Sequence, residues 1–353
     1  MADLNPDTFT TTDLNPGTFA TTDLNPDTVL LTGYDADNNL NGTSGNDVLK
    51  GISGNDTIWT ADGDDDAYGY DGNDTLTGFP GNDSQFGGAG DDTIFGDEGN
   101  DSMVGGDVND AIWDGLGDDY LEGVNGDDIL DAHIGNDTLI GGLGNDLLMA
   151  GEDDSWGVGN WGPDNDVLEG GAGNDTLWGG TDQDYLSGGW DDDTVGGNSG
   201  NDTLYGDEGS DIMFGGVGEG LIFGGSNNDQ LWGNEGNDSM SGDDGNDKLL
   251  GAGGNDVLVG GHGEDTLDGG SDSDIYVLEE NIGTDSIQGF KDGIDFLGLS
   301  GGLSFDELTF EKLGGSQTKI VKDGRILAIV NGIQPESISE SDFVSGQFDP
   351  GSW

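Results

Sequence analysis

Aspartate recurs every ninth residue over most of this chain, and that spacing decides which chemistry is open to it. In a first run it falls at Asp47, Asp56, Asp65, Asp74, Asp83, Asp92, Asp101, Asp110, Asp119, Asp128, Asp137 and Asp146. The rhythm breaks at Ser155, within Gly151 to Pro163, where two extra residues shift the frame. It resumes at Asp166, Asp175, Asp184, Asp193, Asp202 and Asp211, misses at Gly220, and continues at Asp229, Asp238, Asp247, Asp256, Asp265 and Asp274. Twenty-four of twenty-five framed positions are thus Asp, which chance does not produce. Carboxylates are hard oxygen donors suited to Ca²⁺, which takes about 6–8 oxygen ligands at roughly 2.3–2.6 Å. Turn capping, the everyday work of Asp, would leave so much negative charge uncompensated.

The residues around each Asp describe the element that must position it. Two places on, the side chain is nearly always apolar, as in Leu49, Ile58, Leu76, Ile94, Met103, Ile112, Leu121 and Leu168; Gln85 is the exception and Ala67 is small. Gly usually sits two before and four after, as Gly90 and Gly96 do around Asp92. Each unit predicts a Gly-Asp turn followed by a three-residue strand with one inward apolar side chain. Glycine lets such a turn aim its carbonyls inward. Three residues after the Asp the outward position is often aromatic: Trp59, Tyr68, Phe86, Phe95, Trp113, Trp178, Tyr205, Phe214, Phe223 and Trp232. Stacked on a sheet these would form ladders. Trp59, Phe95, Trp113, Trp178, Phe214 and Trp232 are therefore candidate ligand-binding residues for a glycan or, less readily, ice. Simple packing between same-face neighbours explains them equally well.

Composition points the same way. Seventy-four acidic residues face seven basic ones, a formal charge of −67. A chain so charged repels itself unless bound cations neutralise it. Nucleic acid and anionic membrane are excluded as partners, because nothing here neutralises phosphate. No apolar run reaches the roughly 20 residues of a membrane span, and cysteine is absent, which excludes disulfides and thiolate metal sites. The first residues lack the basic and apolar regions of a cleavable leader, so export would read another signal.

The repeat has the form Gly-Gly-x-Gly-x-Asp-x-apolar-x. Clean copies are Gly87-Gly88-Ala89-Gly90-Asp91-Asp92-Thr93-Ile94-Phe95 and Gly170-Gly171-Ala172-Gly173-Asn174-Asp175-Thr176-Leu177-Trp178. From Gly45 to Tyr276 the chain resembles the RTX (hemolysin-type) calcium-binding nonapeptide-repeat proteins. The resemblance implies an all-β fold: a parallel β-roll, a right-handed β-solenoid with two nonapeptides per coil, and Ca²⁺ held between turns by Asp carboxylates and backbone carbonyls. Asp47 would then lie near Asp65, and Asp56 near Asp74. Two bare carboxylates about 5 Å apart repel by roughly 0.8 kcal/mol in water and about 3 kcal/mol at an effective dielectric of 20. Asp pairs eighteen residues apart number ten in the first run and nine in the second, implying very roughly twenty calcium ions. The prediction is a chain unfolded without Ca²⁺ and folded with it.

The expected organisation is an N-terminal arm (1–44), a first roll block (45–150), an interruption (151–165), a second block (166–276) and a C-terminal β-rich cap (277–353). The arm opens with three decapeptides, Asp3 to Thr12, Asp13 to Thr22 and Asp23 to Thr32. Asp35-Ala36-Asp37-Asn38-Asn39 begins like an EF-hand loop, but lacks its Gly and Glu and is expected to be a solvated turn. The interruption is either a bulge in one solenoid or a joint between two rolls. In the closing segment, Leu308 to Leu313, Thr318 to Val321 and Ile326 to Val330 predict a strand meander, and Pro335 to Val344 a short helix. Thr284-Asp285-Ser286-Ile287-Gln288-Gly289-Phe290 with Asp292 to Asp295, and Ser341-Asp342-Phe343-Val344, look like the ends of RTX proteins, cyanobacterial members most of all. That resemblance implies type I secretion and makes the secretion machinery an expected partner. Gly298-Leu299-Ser300-Gly301-Gly302 mimics a hydrolase nucleophile elbow, yet no His follows His262, so it is a chance turn. The expected function is a non-enzymatic, secreted or cell-surface calcium protein for structure or adhesion, folding after export. A polysaccharide or ice binder, or a toxin or enzyme fragment, are the alternatives.

Overall fold

A computed structural model describes residues 29–151, 165–280, 283–346 and 348. The chain divides into two compact units, residues 1–176 and 177–353. The first two decapeptides, the heart of the interruption and the last five residues lie outside the described residues, and so do the readings placed on them.

In the first unit each nonapeptide makes one short strand, and successive strands alternate between two parallel sheets. One sheet runs Leu30–Thr32, Val48–Ser53, Asp66–Asp71, Ser84–Ala89, Ser102–Asp107, Tyr120–Asn125, Thr138–Leu143 and Val167–Ala172. The other runs Asn39–Asn41, Thr57–Trp59, Thr75–Pro80, Thr93–Glu98, Ala111–Trp113, Ile129–Asp131 and Leu147–Met149. Partners are eighteen residues apart, as in Leu49↔Ala67 and Leu76↔Ile94, so two nonapeptides make one coil of a parallel β-solenoid. The expected fold is present.

The core follows from the period. In Asp66–Asp71 exposure alternates along the strand, with Ala67 and Gly69 inward. The residue two after each Asp therefore stacks on its equivalent one coil away: Leu49, Ala67, Gln85, Met103, Leu121, Leu139 and Leu168 are all essentially fully buried. Each buried aliphatic side chain contributes about 1.5–3 kcal/mol.

Corners need backbone that most residues avoid. Gly72 takes φ +139°, and a side chain there would run into the carbonyl of Gly54 one coil below. Five residues after most repeat Asp the chain is again left-handed even without glycine, as at Tyr70 (φ 77°), Phe79 (φ 68°) and Asp97 (φ 81°). In the second sheet of this unit, Thr60, Asp114, Ala132 and Ala150 replace the inward glycine, and the strands before them stop at three residues instead of six.

One boundary lies earlier than expected. The coil begins before Gly45: Asn38 fills the Asp position of an earlier rung, with Leu40 buried two residues on. Across the interruption, Thr138 pairs with Val167, twenty-nine residues away rather than eighteen. The spacing is eleven residues longer here than elsewhere in the coil, one nonapeptide plus the two extra residues, and the rungs of this unit resume in register.

The second unit repeats the pattern. Tyr185–Trp190, Thr203–Glu208, Leu221–Ser226, Ser239–Asp244, Val257–Val259, Ile275–Leu278 and Phe296–Leu299 form one parallel sheet; Thr194–Ser199, Ile212–Val217, Gln230–Glu235, Lys248–Gly253, Thr266–Ser271 and Asp285–Gln288 form the other. The coil runs past Tyr276 by a full turn. The expected meander is present as Leu308–Lys312, Gln317–Lys322 and Arg325–Asn331, antiparallel to one another, and its last strand pairs parallel with Asp285–Gln288. Ile320, Ala328 and Val330, on the last two of these strands, are fully buried. The expected helix over Pro335 to Val344 is corrected to two 3₁₀ turns, Pro335–Ser337 and Glu340–Asp342, followed by the strand Phe343–Ser345. Ile338 is extended (ψ 126°), and Ser339 and Asp342 form a new capping box, so one helix cannot continue through. No helix among the described residues is long and apolar enough to cross a membrane.

Candidate metal centre

Each Asp of the repeat stands at the start of its strand, where the turn meets the sheet. All twenty-four predicted positions are buried, none more than 4% exposed. Their Oδ1 atoms are committed. The backbone N–H of one Asp donates to Oδ1 of the Asp one coil on: Asp56 to Asp74 at 2.7 Å, Asp92 to Asp110 at 2.8 Å and Asp128 to Asp146 at 2.8 Å. The ladder crosses the interruption, with Asp137 donating to Asp166 and Asp146 to Asp175, both at 2.7 Å. In the second unit it links Asp193 to Asp211, Asp211 to Asp229, Asp229 to Asp247 and Asp247 to Asp265. Gly220 supplies only its N–H, to Asp238 at 2.8 Å, so the rung survives without its carboxylate.

The second oxygen is left over. Oδ2 of Asp56, Asp74, Asp92, Asp110, Asp211 and Asp247, among others, is buried without a hydrogen-bond partner. These atoms face the inward glycines. A methyl on Gly69 would collide with Asp74 Oδ2 and stand 2.6 Å from the carbonyl oxygen of Gly87. Gly87 repeats the geometry one coil on, with Asp92 Oδ2 and the Gly105 carbonyl, 2.8 Å off. Burying a charge this way is costly unless something pairs it. Burial pushes the carboxyls up from their ordinary value, Asp65 to about 6, Asp83 to about 7, and Asp110 and Asp247 to about 8. Neighbouring carboxylates push in the same direction, against the backbone N–H bond, which pulls back.

This donor set is carboxylate plus backbone carbonyl, all oxygen, in a cradle that a side chain would fill. It fits a hard cation such as Ca²⁺ and offers nothing to a soft one. Sequence reasoning missed four members. Asn38 donates to Asp56 Oδ1 from its N–H. Asp285 and Asp295 extend the array, accepting from Asp265 and Asp274 at 3.3 and 3.2 Å. They keep the Asp-x-apolar signature, Asp285-Ser286-Ile287 and Asp295-Phe296-Leu297, but at stretched spacing. Asp114 lies in a glycine position. A second ladder also escaped notice, at the residue before each Asp: Asn73 N–H donates to Asn55 Oδ1 at 3.1 Å, and Asn100 to Asn82 at 2.8 Å. It runs opposite in sense to the Asp ladder and stitches the exposed side of the turns.

The aromatic candidates lie on the outer faces. Phe95 stacks on Trp113 at 5.3 Å. Trp178 reaches over Gly196 to Phe214 at 6.5 Å, and Phe214 stacks on Trp232 at 4.9 Å. Trp59 is 43% exposed.

A family model described as RTX calcium-binding nonapeptide repeat (4 copies) matches residues 32–67, 59–94, 77–112, 113–148, 162–195, 187–222, 220–249 and 241–276. No curated protein sequence matches the chain. Among solved structures, a hyperactive, Ca²⁺-dependent, β-helical antifreeze protein from an Antarctic bacterium is 20% identical, over 79% of this chain and 86% of that one, with a TM-score of 0.36. The extracellular lipase LipA from Serratia marcescens is 17% identical over 55% of this chain, with a TM-score of 0.26; the match spans 42% of the lipase.

Proposed function

Because the chain belongs to the RTX calcium-binding nonapeptide-repeat family, we propose that it is a non-enzymatic structural or adhesive protein of the cell exterior that folds only when Ca²⁺ fills its rungs. The supporting observation is the set of buried Oδ2 atoms, at Asp56, Asp74, Asp92, Asp110, Asp211 and Asp247 among others, that face an inward glycine and lack a hydrogen-bond partner. Calcium bound there would link successive coils. Binding energy would then be folding energy. In a calcium-poor cytosol the chain stays unfolded and fit for export through a type I secretion system, with the segment 277–353 as cap and export signal. Outside, it folds. Very roughly twenty ions would be taken up. Far-UV circular dichroism during calcium titration of chelator-treated protein should show a cooperative gain of strand. Equal strand content and melting point with and without chelator would remove the proposal.

The stacked outer aromatics favour a second use of the same scaffold, as a polysaccharide-binding face at Trp59, Phe95, Trp113, Trp178, Phe214 and Trp232. Rings in a row suit sugar faces, and they also suit each other. Trp59→Ala and Trp178→Ala should lose retention on polysaccharide while keeping calcium-dependent folding; unchanged retention would leave the rings with packing alone.

A further inference from the structure

One rung of the first unit differs from the rest. Asp114 follows Asp110 by four residues, where the repeat places an inward glycine, so its side chain enters the column that carries the cation cradles. Asp114 is 8% exposed, and both of its carboxylate oxygens lack a hydrogen-bond partner. Asp101 and Asp119, repeat aspartates of successive coils in that column, are 3% and 4% exposed, and each has an Oδ2 without a partner. One carboxylate oxygen from each of the three lies within 4.8 Å of the others. Asp101 Oδ2 stands 2.7 Å from the point a methyl on Gly96 would occupy, and Asp114 Oδ1 crowds the same point. The third carboxylate is thus aimed into the cradle, not across the surface.

Shape does not require it. Ala132, the next residue in the same column, fills the equivalent place without charge. Burying an unpaired carboxylate beside two others costs several kcal/mol unless a proton neutralises it or a cation is shared among them. Three oxygens this close fit around one ion with metal–oxygen distances of roughly 2.3–2.6 Å.

We propose that Asp101, Asp114 and Asp119 form a three-carboxylate cation site, distinct from the two-carboxylate rungs, that fills first and prefers trivalent over divalent ions. The proposal rests on the calcium reading above. Coulomb attraction grows with the product of charges, and calcium affinity follows the ligand charge count. The extra carboxylate therefore raises affinity for Ca²⁺, and raises it more for a lanthanide. A site that fills first orders its own coil and its neighbours before the rest of the array.

The test is titration of the metal-free, full-length protein with Tb³⁺ and, separately, with Ca²⁺, followed by calorimetry and by tryptophan-sensitised terbium emission; Trp113 lies one residue from the site. The wild-type protein should show one early equivalent at least about tenfold tighter than the later ones. Asp114→Asn should weaken that step about tenfold and leave later steps and calcium-saturated strand content unchanged. Asp114→Gly, which restores the repeat's own residue, should do the same and serves if the Asn variant folds poorly. An early step that persists in either variant, or tighter binding when the carboxylate is removed, overturns the site. If the array fills but no early step exists in the wild type, this inference alone fails. If the wild type takes up no calcium at any step, the inference and the reading beneath it fail together.

Discussion

At the scale of single residues, an aspartate with Oδ1 tied to a backbone N–H has only Oδ2 left for a ligand, and the inward glycine keeps the space before it clear. Gly69→Ala would set a methyl against Asp74 Oδ2 and the Gly87 carbonyl. The calcium-loaded protein should lose about 1–3 kcal/mol in urea denaturation. Gly253→Ala is the matched control, since its nearest neighbours are 3.6 and 3.7 Å away; its midpoint should hold or rise slightly. Equal effects at both positions would show that the cradle is not space-limited. Gln85 offers a change of opposite sign. It is 1% exposed between Ala67 and Met103, and neither its Nε2 nor its Oε1 has a partner. Gln85→Leu matches the aliphatic residues elsewhere in the stack and should stabilise by about 1–3 kcal/mol, read as a higher melting temperature in calcium. A lower melting temperature would mean that the amide is satisfied by something within the core.

At the scale of elements, the regular strands were legible because one nonapeptide carries everything a rung needs: turn glycine, Asp, inward apolar residue. Leu76, Ile94 and Leu121 could be placed in the core from spacing alone. What escaped was whatever kept the physics but lost the period. Asn38 can hold the rung through its backbone and side-chain N–H groups, yet it is not an acid and did not register as one of the series. Asp285 and Asp295 follow Asp274 at eleven and then ten residues, because longer turns carry the chain around the last coil. Asp114 reads in sequence as one imperfect glycine; only the coil brings it to Asp101 and Asp119. The false helix over Pro335 to Val344 had a proline start but no way past a second cap. The cap strand Arg325–Asn331 covers what would otherwise be an open edge. Val330 is fully buried opposite Ile287, and Asn331 Nδ2 donates to the Ile287 carbonyl at 2.9 Å. Val330→Asp should therefore accelerate amide hydrogen exchange in Asp285–Gln288 and Gln317–Lys322 while Thr203–Glu208 stays protected. Uniform acceleration would mean that the cap and the coils open as one.

At the scale of the molecule, the charge of −67 and the columns of buried carboxylates set two pH responses of opposite sign. Without metal, the repeat carboxyls sit in the fold with values raised by burial, Asp65 to about 6, Asp83 and Asp256 to about 7 and Asp110 to about 8. In the unfolded chain they return to the ordinary value near about 3.9. The fold then binds more protons than the unfolded chain across that window, so its stability grows as pH falls and is lost as pH rises through about 6 to 8. Calcium needs the ionised form and reverses the trend, because acid competes with it for the same oxygens. Chelated protein moved from about pH 8 to about pH 5 should therefore gain strand content, while calcium-saturated protein at low free calcium should lose ions over the same range. Circular dichroism reads the first arm and a calcium electrode the second. Protons and calcium would then be substitutes for one task, neutralising stacked carboxylates, with calcium also bridging coils that protons only relieve. A chelated chain whose strand content is flat across that range would separate burial of the Asp columns from the chain's need for metal.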